Sequence, residues 1–156
     1  MQTILVPIDF SEGSLAALQS ADILAQRLGC SITLLHVVQR PTHVAPPDVA
    51  VDPAIAEYVW DGLYDEEELL EQVRAEMESF LARAPATTAP KQVLFRAGPP
   101  AKAIVQAADK TDARMVVMST HGRRGLARFF VGSTAEEVVR TCDVPVVAIK
   151  PFAPLR

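Results

Sequence analysis

A chain of 156 residues is long enough for one compact domain with a sizeable core and too short for a two-domain enzyme. Apolar residues at 49% and charged residues at 22% exclude a disordered tail, a collagen-like rod and a coiled coil. Fifteen Lys and Arg against nineteen Asp and Glu leave a net charge of −4, the wrong sign for a surface that grips nucleic acid. Apolar runs such as Val144 to Ile149 fall far short of the about 20 residues that a membrane span needs. The opening MQTILVPID has no basic region and meets Pro and Asp early, so no signal peptide is expected and the cytoplasm is the expected compartment. Cys30 and Cys142, separated by 111 residues and without any CxxC or Cys/His cluster, are expected to be core thiols.

In chain order, five short runs rich in Val, Ile and Leu have the near-continuous hydrophobicity of strands buried on both faces: Thr3 to Ile8, Ser31 to Val38, Gln92 to Arg96, Arg114 to Met118 and Val144 to Ile149. Between the first two, Leu18, Ala21, Leu24, Ala25 and Leu28 recur at helical spacing, opened by Ser11 as N-cap and closed by Gly29. Residues 39–62 carry Pro41, Pro46, Pro47 and Pro53 with no sustained period and read as a long loop. A helix then starts near Leu63 and ends before Pro85, with Leu70, Val73, Met77, Phe80 and Leu81 as its apolar stripe. Asp61 to Glu78 hold eight carboxylates and one Arg, a local charge of −7, so the rest of the chain sums to +3.

Pro99 and Pro100 suit the first turn of a third helix with Ala101, Ile104, Val105 and Ala108 inward. A fourth is announced by two capping-box patterns, Ser133 with Glu136 and Thr134 with Glu137, with Val138, Val139 and Cys142 as its buried side. Strict alternation of five strands and four helices, with right-handed crossovers, specifies an open doubly wound parallel sheet with helices on both faces in one α/β domain.

Chemistry in such a sheet is expected beyond the carboxyl ends of the strands, where the strand order reverses. After the first strand, Pro7-Ile8-Asp9-Phe10-Ser11 leaves a carboxylate there. After the fourth comes Met118-Ser119-Thr120-His121-Gly122-Arg123-Arg124-Gly125-Leu126, followed by Val131-Gly132-Ser133-Thr134 at a helix N-terminus. Glycines admit close backbone approach and a helix N-terminus carries about half a positive charge, which together suit phosphate. His121, Arg123, Arg124 and Arg128 add positive charge nearby.

The segments ILVPIDFSEGSLAAL, LLHVV, GPPAKAIVQAAD and DARMVVMSTHGRRGLARFFVGSTAEEVVRTCDVPVVAIK together resemble the universal stress proteins, the UspA-like family, over nearly the whole chain. The resemblance implies a Rossmann-like, adenine nucleotide α-hydrolase-like fold with strand order 3-2-1-4-5, a homodimer paired through the last strand and, in one branch, bound ATP with Mg²⁺ or Mn²⁺. That branch carries Gly-x2-Gly-x9-Gly-Ser/Thr; here the aligned residues are Ser119, Gly122, Gly132 and Ser133, so the first glycine is a serine. Serine fits if that position needs only room and is penalised if it needs positive φ. By matched position, Asp9 and Val37 hold the adenine and ribose end, Pro7 and Ile8 line that pocket, and Gly98 borders the base. Met118 and Ser119 lie at the ribose-to-phosphate crossing. Gly122, Arg123, Gly132, Ser133 and Thr134 surround the phosphates.

Each assignment has a structural counterpart. Asp9 caps the first helix, Ser133 and Thr134 cap the last, and the arginines form a solvated basic face. His36 reads as a structural polar residue. Tyr58, Trp60 and Tyr64 read equally as a lid or as packing of the long loop. Neither GxxxxGK[ST] nor GxGxxG occurs, and no nucleophile with an orienting partner accompanies His121. A receiver domain is set aside because Arg96-Ala97-Gly98 stands where its phospho-acceptor Asp belongs.

Two functions follow from this pattern. In the first, an ATP-binding regulatory protein works as a nucleotide-dependent conformational switch toward unidentified protein partners, with little or no hydrolysis. In the second, a nucleotide-free dimeric module of the same family contacts partners through its acidic helix or long loop. A true ATPase is a weaker third. Dimerisation is expected through Val144 to Ile149, an apolar edge strand in which Pro145 removes one donor and pairing uses the residues after it.

Overall fold

The structure, a computed structural model, describes residues 2–38, 66–84, 92–120 and 131–150. Among these, β1 (Thr3–Ile8), α1 (Glu12–Leu28), β2 (Ser31–Val38), α2 (Glu66–Arg83), β3 (Gln92–Ala97), α3 (Pro100–Lys110), β4 (Ala113–Ser119), α4 (Ser133–Thr141) and β5 (Val146–Ile149) alternate. All five strands form one parallel sheet in the order β3-β2-β1-β4-β5. The chain divides into two compact units, Met1–Gln39 with Ala84–Arg156, which carries the sheet, and Arg40–Arg83, whose described part is α2. The long loop expected over 39–62 lies outside the described residues.

Side-chain alternation along buried strands sends their apolar residues to two different layers. Leu5, Leu35, Val116 and Met118 join Ala101, Ile104, Ala107, Ala108, Ala135 and Val138 in one core against α3 and α4, with Val37, Leu94 and Val146 packed at its margin. Ile4, Val6, Ile32, Leu34 and Val117 alternate with that set and are equally buried, as are Ala17, Leu18, Ala21 and Ala25 of α1. The handedness rule explains the split. The β1-α1-β2 crossover moves toward β3 while β3-α3-β4 and β4-α4-β5 move toward β5, so right-handed connections place α1 on one face and α3 and α4 on the other. On α2, Val73, Met77 and Phe80 are buried at i, i+4 and i+7, and the Arg83 guanidinium lies 6.0 Å from the Phe80 ring centre. No helix among the described residues is long and apolar enough to cross a membrane.

Three expectations shift. Val139 is 54% exposed, because the buried stripe of α4 runs Ala135, Val138 and on to the half-buried Cys142, and Val139 lies about 100° of helix rotation from Val138. β5 starts at Val146 rather than Val144; Pro145 precedes it and contributes only its carbonyl, which accepts from the Val116 amide at 2.9 Å. Cys30 and Cys142 are free and half-buried rather than fully buried, with Cys142 packed against the core.

Pro7 is the unusual residue of the sheet, since a central strand rarely carries one. The Gln2 carbonyl accepts from the Ser31 amide at 3.1 Å, so by alternation Ile4, Val6 and Ile8 turn their backbone groups toward β2, and Thr3, Leu5 and Pro7 turn theirs toward β4. The β1–β4 register runs only from Thr3↔Ala113 to Leu5↔Val116, whereas β1–β2 continues to Ile8↔His36. The missing donor of Pro7 therefore falls where β1 and β4 have stopped pairing.

At the end of β3 the chain turns into α3 through Gly98, whose φ of +123° lies in a region L residues rarely adopt, and through Pro99 and Pro100 at the helix start. Among the described residues no atom beyond its chain neighbours lies within 4 Å of where a Cβ would stand, so the demand seen at Gly98 is conformational. Gly98→Ala should destabilise the fold by about 1–3 kcal/mol in urea denaturation, and an unchanged midpoint would contradict this turn geometry.

Candidate functional site

The carboxyl end of β1 is built around one carboxylate oxygen. Asp9 Oδ1 accepts from the Ser11 amide at 3.1 Å, from Ser11 Oγ at 2.5 Å and from Ser14 Oγ at 2.6 Å. Ser14 Oγ also accepts from the Asp9 amide at 3.0 Å, and Ser11, the N-cap of α1, accepts from the Ser14 amide at 3.2 Å. An ordinary capping box would place Glu or Gln at position 14 to reach back to the cap amide. A serine is too short for that, and Asp9 takes the Ser11 amide instead. Asp9 thus supports the cap rather than being it.

Phe10 follows with φ +66°, a left-handed conformation that costs a bulky residue about 1–2 kcal/mol. Its ring stacks on His36 with centroids 4.3 Å apart and planes 25° from parallel, which offsets part of that cost. His36 Nδ1 lies 2.9 Å from the Ile8 carbonyl; since a carbonyl only accepts, Nδ1 carries the proton and donates. The reading of His36 as a structural polar residue agrees with this brace, which joins the ends of β1 and β2 and aims the turn that holds Asp9.

Across the opening, β4 ends at Ser119, opposite Ile149 of β5. The Thr120 amide donates to the Ile149 carbonyl at 2.9 Å, and the Thr120 carbonyl accepts from the Gly132 amide at 2.7 Å. The start of α4 is thereby stitched to the end of β4. A Cβ on Gly132 would stand 3.2 Å from the Thr120 oxygen, so this glycine serves close approach; its own φ of −61° is open to any residue. Gly132 is the N-cap of α4 and no side chain caps it. The capping boxes expected from Ser133–Glu136 and Thr134–Glu137 are therefore corrected: Ser133 and Thr134 are the first helical residues, because the Gly132 stitch starts the helix one residue earlier.

The structure brings Asp9, Ser119, Gly132, Ser133 and Thr134 to the carboxyl ends of the adjacent strands β1 and β4, with Gly98 at the same end of the sheet after β3. Ser133 is exposed, and Ser119, Thr134 and Asp9 are half-buried. Pro7 and Ile8 are the last two residues of β1. Met118 lies in the core against α3 and α4, buried to 5% exposure, and contributes its backbone position rather than a side-chain surface, while Val37 is half-buried at the margin of that core. Gly122 and Arg123, with His121, Arg124 and Arg128, lie outside the described residues, as do Tyr58, Trp60 and Tyr64. Residue-by-residue reading missed Ser14 and Phe10. The Asp-x-Ser-x-x-Ser spacing was the available signal for the first; nothing in a phenylalanine signals a left-handed backbone.

The universal stress protein family model matches residues 1–150. The chain belongs to the universal stress protein family. A universal stress protein of Thermus aquaticus is 30% identical over 150 residues, covering 96% of this chain and 98% of its own. Among solved structures, protein MJ0577, a universal stress protein of Methanocaldococcus jannaschii, superposes with a TM-score of 0.75 at 23% identity, covering 97% of each chain. A universal stress protein in complex with cAMP superposes at 0.58 with 20% identity, covering 97% and 98%. One from Archaeoglobus fulgidus in complex with dAMP superposes at 0.53 with 22% identity, covering 96% and 98%. These likenesses establish the fold shared across the family.

Within that family pattern, the serine at position 119 carries no conformational penalty. Ser119 is a strand residue, and among the described non-glycine residues only Phe10 and Asp112 have positive φ. Ser119→Gly should therefore lower stability by about 0.5–1 kcal/mol through added backbone freedom. A rise in the thermal midpoint would show that the position is strained.

Proposed function

We propose that this universal stress protein is an ATP-binding regulatory protein, in which nucleotide between the Asp9 loop and the Gly122 to Gly132 loop biases the conformation shown to a protein partner, with little or no hydrolysis. The observation that carries the reading is the pairing of unlike ends at the strand-order reversal. A fixed acceptor, Asp9, ends β1, while the uncapped N-terminus of α4, held by the Gly132 stitch, ends the path from β4. First-turn amides of α4 have no intrahelical partner and point outward as donors, and the helix dipole adds positive potential. An acceptor for the amino and hydroxyl groups of a nucleoside beside donors for its phosphates is the donor set an adenine nucleotide requires. The family complexes with cAMP and dAMP support the nucleotide class.

In this reading Asp9 and the backbone near Val37 and Gly98 receive the base and ribose, Ser119 the ribose-to-phosphate crossing, and Gly132, Ser133 and Thr134 the phosphates, joined by Gly122 and Arg123. Mg²⁺ or Mn²⁺ is assigned to the phosphates of the nucleotide, whose oxygens are the hard ligands these cations take. Little or no hydrolysis is the expectation of this reading, because it gives Asp9 to the nucleoside rather than to an attacking water. A carboxylate held by Ser11 and Ser14 at the nucleoside end is remote from the bond that water would attack.

Calorimetric titration with ATP and Mg²⁺ should show micromolar binding. Asp9→Ala should weaken it by about 10- to 100-fold, the loss expected for a hydrogen bond to a charged group. Absence of binding in the native chain together with binding in Ser119→Gly would instead identify a nucleotide-free module.

The homodimer is the second part of the proposal. β5 is an edge strand whose Val146, Val147 and Ile149 are only half-buried and whose Ala148 is exposed, leaving an apolar edge to pair with its copy after Pro145. Sedimentation at micromolar concentration should show a species of twice the 16.9 kDa chain mass, and a monomer alone would refute the pairing.

A further inference from the structure

We propose that Ser14 is the positioning residue of the nucleotide site: buried in the first turn of α1, its hydroxyl sets the direction of the Asp9 carboxylate and thereby the affinity for the nucleoside end of the ligand. This rests on the nucleotide-binding reading and names a residue outside the set that the family pattern assigns to the ligand.

The argument starts from what one hydroxyl can do. A serine Oγ offers one proton and two lone pairs. Ser14 Oγ gives its proton to Asp9 Oδ1 at 2.6 Å and accepts from the Asp9 amide at 3.0 Å, so a single atom grips both ends of the same residue. Ser14 is only 2% exposed, hence shielded from water that would compete for either bond. Its own amide is tied to Ser11 Oγ, and Ser11 donates to the same Asp9 oxygen from amide and hydroxyl. Three donors converging on Oδ1 fix the plane of the carboxylate, which would otherwise turn about its last torsion in a broad, shallow well.

The need for such a grip is local. Asp9 lies after the point where β1 ceases to pair with β4, and before Phe10, whose left-handed backbone sends the chain into a tight turn. No ladder holds Asp9 from the β4 side. Ser11 alone could satisfy the helix cap, and a Glu at position 14 would complete an ordinary capping box. A buried serine at this position instead directs its hydroxyl to the residue that faces the ligand. Ser14 touches no ligand and acts through Asp9.

The test is a double-mutant cycle on ATP affinity, measured by calorimetry with the full chain and Mg²⁺, using Ser14→Ala, Asp9→Ala and the double variant. Ser14→Ala should bind ATP about tenfold more weakly, while the same substitution in the Asp9→Ala background should change affinity less than twofold, because the residue through which Ser14 acts has gone. Inorganic tripolyphosphate, which makes no use of Asp9, should bind wild type and Ser14→Ala alike. A purely structural role would weaken both ligands and would persist in the Asp9→Ala background. Ser14→Cys keeps the side-chain shape with a slightly larger atom and offers only a weak donor, so it reports the same coupling should the alanine variant fail to fold. ATP binding by Ser14→Ala equal to wild type, or additive losses in the double variant, overturns the positioning role and leaves the nucleotide site standing. A native chain that binds tripolyphosphate or nothing, and no ATP, overturns the site and this inference with it.

Discussion

Because the connections leaving β1 and β4 run in opposite directions across the sheet, neither closes over the space between the carboxyl ends of these two neighbours. That topological gap is what the rest of the molecule is arranged around. It explains why Pro7 is tolerated in a central strand, since its missing amide faces the side where pairing has already stopped. It also gives a purpose to the left-handed Phe10, which turns the chain into α1 at the gap and is held there by His36 and the Ile8 carbonyl. A strained bulky residue persists only where its neighbours over-determine it.

Two different solutions hold the two rims. On the β1 rim, side chains do the positioning: Asp9, Ser11 and Ser14 form a closed set of bonds in which the helix cap and the carboxylate support each other. On the β4 rim, backbone does it: Ile149, Thr120 and Gly132 are joined amide to carbonyl, and the small size of Gly132 allows the approach. The consequence is an electrostatic contrast across a short span, an anion at one side and the positive end of α4 at the other. Overall charge gives no hint of it, because the acidity of the chain is concentrated between Asp61 and Glu78.

The sheet was legible because strands buried on both faces must be continuously apolar, and the five runs found that way are the five strands, with ends differing by one or two residues. Gly29, Ser11 and the Pro99-Pro100 pair likewise announced the helix ends they make, since caps are local chemistry. What failed was whatever tertiary contact decides. Ser133 looked like an N-cap, yet a hydrogen bond from Gly132 to Thr120, twelve residues back, moved the cap to a glycine. Val139 matched an apolar stripe on composition, but rotation about α4 puts Ala135 and Val138 inward instead. Of the site, Asp9, Ser119 and Gly132 were legible from their loops and from the family pattern. Ser14 was not, because a serine in a first helical turn has an ordinary explanation until its partners are seen.

The most direct test of the account is the backbone amide NMR spectrum of the isotopically labelled chain titrated with ATP and Mg²⁺. The account predicts the largest shifts at Asp9, Phe10, Ser119, Thr120 and Gly132 to Thr134, on both rims of the gap, with residues 29–31 and 111–113 at the opposite end of the sheet unmoved. Shifts centred on those opposite-end residues, or none at saturating nucleotide, would contradict it.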